Sequence, residues 1–126
     1  MNSTRQPVAE VVVALTGGVK EDAREVFGAL RSAYGCDRAA DDVPKEVPGA
    51  GDRPTVWIAT FDASDVRARP ARPVRLTAPV VATLQGGYAA VDSLRGSLAS
   101  AFTVREVGTA YGDQEEEVQL RLESRT

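Results

Sequence analysis

Twice in this chain a β-branched run breaks at paired glycines and gives way to a helical pattern. No other feature limits the fold as much. Val8 to Leu15 reads VAEVVVAL, nearly continuous and apolar on both parities, which suits a strand in the middle of a sheet. Thr16-Gly17-Gly18 ends it. Val19 to Tyr34 follows, with Ala23, Val26, Phe27, Leu30, Ala33 and Tyr34 at helical spacing. Glu21 and Asp22 in the first turn and Gly35 beyond the last apolar residue fit the ends of a helix. Later, Val74 to Leu84 reads as extended, with Pro79 marking an edge position or a bulge, and Gly86-Gly87 closes it. Tyr88 to Phe102 then places Val91, Leu94, Leu98, Ala101 and Phe102 on one helical face. Gly96 inside that helix costs about 1 kcal/mol relative to alanine unless another backbone packs against it.

A shift of 68 positions lays one unit over the other. Val12, Val13 and Ala14 fall on Val80, Val81 and Ala82; Ala23, Val26, Leu30, Ala33 and Tyr34 fall on Val91, Leu94, Leu98, Ala101 and Phe102. The match is one of physical pattern. It predicts an α+β fold, a ferredoxin-like βαββαβ sandwich with two helices on one face of an antiparallel sheet. Thr55 to Phe61, TVWIATF, supplies another strand. Val104 to Tyr111 and Glu115 to Glu123 flank the turn Gly112-Asp113-Gln114 and add a C-terminal hairpin strand. In the last strand Val118, Leu120 and Leu122 alternate with charged or amide residues, giving one dry and one wet face. A small doubly wound α/β domain is the runner-up, disfavoured because only two good helices are visible. The expected organisation is one domain over 1–126, with a flexible N-terminus at 1–7 and a long mobile loop at 36–54. Asp62 to Pro73 reads as a polar linker broken by Pro70 and Pro73.

The 126 residues contain no histidine, which removes histidine bases, Ser-His and Cys-His pairs and imidazole metal ligands. A single cysteine, Cys36, excludes an internal disulfide and a thiolate zinc site, and fits a reducing, cytoplasmic setting. A formal charge of −3 speaks against nucleic-acid or anionic-membrane partners. The RNA-binding version of a βαββαβ sheet stacks bases on aromatics of its first and third strands, and both strands lack aromatics here. No cofactor, metal site or catalytic residue is expected.

Four sets of residues are candidates for a role. Gly17, Gly18, Gly86 and Gly87 sit in strand-to-helix turns, where outward N–H groups hold phosphate or carboxylate; tight-turn geometry alone also explains them. Trp57 and Phe61 share one face of their strand. They form an interface patch if that face lies opposite the helices, and core if it does not. Asp62 and Asp65, near Arg67, Arg69, Arg72 and Arg75, read as a solvated linker. Asp113, Glu115, Glu116 and Glu117 read as gatekeeping charges, with Glu116 pointing away from its two neighbours. Cys36 lacks the surroundings of a reactive thiol. The leading functional expectation is a non-catalytic interaction module, self-associating through its open sheet face or an edge strand. One alternative is a small cofactor-free enzyme using Tyr88, Tyr111 or Asp92. Another is a regulatory domain that binds an acidic metabolite at the glycine turns.

Overall fold

The structure, a computed structural model, describes residues 9–36, 45–47, 55–66 and 75–124. Its elements are β1 (Glu10–Thr16), α1 (Lys20–Ala33), β2 (Tyr34–Cys36), β3 (Lys45–Val47), β4 (Val56–Val66), β5 (Val80–Gly87), α2 (Tyr88–Ala101), β6 (Phe102–Tyr111) and β7 (Glu115–Ser124). The fold is α+β, with both helices packed on one antiparallel sheet of order β2-β4-β1-β5-β7-β6. The short β3 pairs with β4 alongside Val56 to Ile58, while β2 pairs with the other end of β4.

The alternating strands decide which face is dry. Val11, Val13 and Leu15 of β1 point to the helices, with Trp57, Ala59 and Phe61 of β4 opposite them in register. Val80, Ala82 and Leu84 of β5 face the same way, opposite Leu122, Leu120 and Val118 of β7. The helices close this layer with Val26, Phe27 and Leu30 from α1 and Val91, Leu94 and Leu98 from α2. Phe27 and Phe61 meet with ring centroids 6.0 Å apart.

The 68-residue offset holds for the helices: α1 falls on α2 residue for residue, from Lys20 on Tyr88 to Ala33 on Ala101. Each helix ends on an extended aromatic, Tyr34 or Phe102, whose N–H donates to the carbonyl of Leu30 or Leu98. For the central strands the offset is 69. Val11, Val13 and Leu15 correspond in facing to Val80, Ala82 and Leu84, so aligning Val12 with Val80 matched an outward side chain to an inward one. Thr16 lies four positions before Lys20, while its counterpart Gln85 lies three before Tyr88, which absorbs the difference.

With that correction the halves become β1-α1-β2-β4 and β5-α2-β6-β7. Ala14 pairs with Thr83, its own counterpart 69 residues on, so a local twofold axis passes between them. The axis relates Cys36 opposite Phe61 to Val104 opposite Leu122.

Other expectations shift. β4 continues five residues past Phe61, through Asp62 to Val66, because Asp62 and Val66 still pair with Gly35 and Tyr34 of β2 on either side of a break in register. β5 begins at Val80 and takes in Gly86 and Gly87. The expected loop at 36–54 contains the end of β2 and all of β3; its remaining residues, like 1–7 and 67–74, lie outside the described residues.

Candidate functional site: two helix starts, an open face and a tyrosine pair

The two glycine turns have different fates. Gly17 and Gly18 both take positive φ, 82° and 66°, and fold the chain back onto the start of α1. There Asp22 is 2% exposed. Its carboxylate accepts from the Val19 N–H at 3.1 Å, the Thr77 N–H at 2.8 Å and the Thr77 hydroxyl at 2.6 Å. Burial alone would raise the Asp22 pKa. The hydrogen bonds from the Thr77 hydroxyl and from the N–H groups of Thr77, Val19 and Ala78 outweigh it and hold the carboxyl below the ordinary aspartate range. A Cβ on Gly18 would lie 2.6 Å from Asp22 Oδ2. The anion place of the first turn is thus filled by the chain itself.

At the start of α2 the residue equivalent to Asp22 is Ala90. The N-cap is Gly87, no side chain caps it, and the first turn holds no acid. Beside it lies a shallow depression of about 400 Å³ whose lining includes Ala63, Ser64, Gly87, Tyr88, Ser93 and Gln114. Gly86 serves a different need: a Cβ there would sit 2.6 Å from the Glu10 carbonyl oxygen on the neighbouring strand. Paired glycines alone make the two turns look equal. The residue three places into each helix, aspartate in one and alanine in the other, was the available signal that separates them.

Trp57 and Phe61 face the helices, at 6% and 0% exposure, and belong to the core, the second of the two outcomes set out above. The Trp57 indole N–H has no acceptor among the described residues. The face opposite the helices carries other apolar groups. Val12, 41% exposed, stands there beside Ala14 on β1, with Val56 and Ile58 on β4 and Val81 on β5. Across β7 and β6 the same face turns polar, with Glu117, Gln119, Arg121 and Arg105.

Tyr88 and Tyr111 stack with centroids 6.1 Å apart and planes 14° from parallel. The Tyr88 hydroxyl donates to the Gly112 carbonyl at 2.5 Å. Asp92 is exposed one helical turn beyond Tyr88. Glu116 stands opposite Tyr111 in the β6–β7 register and is 9% exposed, while Glu115 and Glu117 are exposed. Asp62 accepts from the Ser64 N–H and hydroxyl, and Asp65 lies over Gly35. Arg67, Arg69 and Arg72 lie outside the described residues. Among the described residues no three acidic or cysteine side chains gather as a metal site, and no helix is long and apolar enough to cross a membrane. No family model, curated protein or solved structure matches the chain.

Proposed function

We propose that this chain is a non-catalytic binding module that associates with a second copy of itself through the open sheet face. The observation that carries the reading is the apolar strip of Val12, Val56, Ile58 and Val81, spread over three adjacent strands of the face that neither helix covers. Strands lie about 4.8 Å apart, so the strip is roughly 10–15 Å wide; Thr60 and Gln85 flank Val12 and Thr16 flanks Val81, so polar side chains are interspersed with the apolar ones. Its border on β7 and β6 carries both signs, Glu117 with Arg121 and Arg105, so two copies meet without a patch of one charge. Sedimentation velocity tests the reading. The parent chain should dimerise at tens of micromolar, and Val12→Asp should stay monomeric with an unchanged circular dichroism spectrum. A parent that stays monomeric at several hundred micromolar overturns it.

The split β-α-β connection in each half supports reading the layout as a ferredoxin-like sandwich in which that unit occurs twice. A cytoplasmic, single-domain protein is part of the same proposal, supported by the lone cysteine. The non-catalytic reading draws support from Tyr88, whose hydroxyl is already bonded to a backbone carbonyl.

A second reading rests on the contrast between the helix starts. The α2 start would take the carboxylate of a small acidic metabolite where α1 takes Asp22. Ala90→Asp should supply that carboxylate internally and abolish binding of succinate, the probe, in calorimetry. Unchanged succinate binding in the variant, or none in the parent, removes this reading.

A further inference from the structure

We infer that Glu116, Tyr111 and Tyr88 form a binding site for an organic ammonium group, at a place distinct from the open sheet face. Glu116 is the first of the inward-facing residues of β7, followed by Val118, Leu120 and Leu122. Glu116 is 9% exposed, yet its carboxylate oxygens still touch water, and among the described residues neither an ion pair nor a hydrogen bond reaches them, so they are open to a cationic ligand. Its neighbour on β5 is Gly86, which adds no side chain, and its neighbour on β6 is Tyr111. The paired carboxylate and ring stand on the same side of the sheet, as directly opposed residues do.

The ring face is presented ready-made. Tyr111 is 73% exposed, and Tyr88 stacks beside it, held by its bond to Gly112. A carboxylate beside tyrosine π faces is the combination that recognises ammonium groups. The surrounding charge agrees. From Glu106 to Leu120 the chain has no lysine or arginine, and it carries Asp113, Glu115, Glu116 and Glu117. A divalent metal ion is the poorer occupant, because Glu115 and Glu117 point to the opposite face and leave one carboxylate on the tyrosine side. The shared chemistry is a monovalent ammonium, from a free quaternary amine or a protein lysine.

The test is a titration of the full-length chain, followed by amide chemical shifts. The probes are tetramethylammonium and Nα-acetyl-lysine N-methylamide, with potassium at equal ionic strength as the control. Saturable binding of either probe at this turn supports the site, and the tighter probe identifies the source. Glu116→Gln and Tyr111→Leu should each weaken binding at least about tenfold. Tyr111→Phe, which keeps the ring face, and Glu115→Gln should bind like the parent. Far-ultraviolet circular dichroism confirms that each variant is folded. The inference fails if neither probe saturates, if potassium competes equally, if Glu116→Gln binds like the parent, or if Tyr111→Phe loses binding.

Discussion

Replacing Asp22 with asparagine tests how much of the stability rests on an internal anion at the start of α1. The substitution keeps the size and one carbonyl oxygen. It removes the charge and turns an amide NH2 toward donors that the second carboxylate oxygen now receives, from Val19 or Thr77. Hydrogen bonds to a charged group contribute about 1.5–3 kcal/mol each, and loss of a helix-start acceptor costs about 1 kcal/mol. Thr77 is itself exposed, so water partly replaces its bonds. One charge-assisted bond and part of the cap remain as the net loss, roughly 2–3 kcal/mol at neutral pH. Urea unfolding at about pH 7 should show this as a lower midpoint at constant slope. The pH dependence supplies the stricter check. A carboxyl whose pKa is depressed by folding contributes stability that is present above its unfolded pKa and lost as pH falls through its folded value. Asp22 is depressed, so the parent should lose its advantage over the asparagine variant on acidification to about pH 2. A difference below about 0.5 kcal/mol at neutral pH, or a gap as wide at pH 2 as at pH 7, would refute the reasoning.

Three further outcomes follow from single positions. Gly28→Ala and Gly96→Ala meet nothing within 4 Å, so each should stabilise the protein by about 1 kcal/mol, read from the same urea midpoints. Gly18→Ala forces a non-glycine residue to a φ of 66° and drives its Cβ against Asp22. It should cost roughly 1–3 kcal/mol, with less than additive loss in the Gly18→Ala, Asp22→Asn double variant. Trp57→Phe removes an indole N–H that lacks an acceptor. Its loss on thermal unfolding should stay within about 1.5 kcal/mol, well below the 3–5 kcal/mol typical of an aromatic truncated to alanine.

Much of the helical layer was legible from spacing, because residues three and four apart identify one face without ambiguity. α1 and α2 begin and end within a residue of the apolar pattern. The strands were harder. In VAEVVVAL both parities are apolar, so nothing in the run says whether Val12 or Val13 is inside. Only pairing with β4 and β5, whose inner residues sit opposite Val11, Val13 and Leu15, decides it. The polar end of β4 reads as linker because Asp62, Ser64 and Asp65 favour loops, yet an edge partner sustains the strand there. β2 and β3 are three residues each, too short for any alternation to show. At the candidate sites the glycines were visible but their partners were not. Asp22 reads as one of several first-turn acids until Thr77, distant in sequence, is seen to close on it. Glu116 reads as one of three successive glutamates until the register puts it alone on the inner face.

The local axis between Ala14 and Thr83 has a consequence for how the two halves change. In a dimer of identical chains every substitution appears on both sides of the axis, so a helix start is either filled twice or open twice. Here the two sides are written separately. Asp22 has no echo at Ala90, although Gly28 and Gly96 stand at equivalent positions of the two helices. One half can hold the architecture in place while the other is free to diverge.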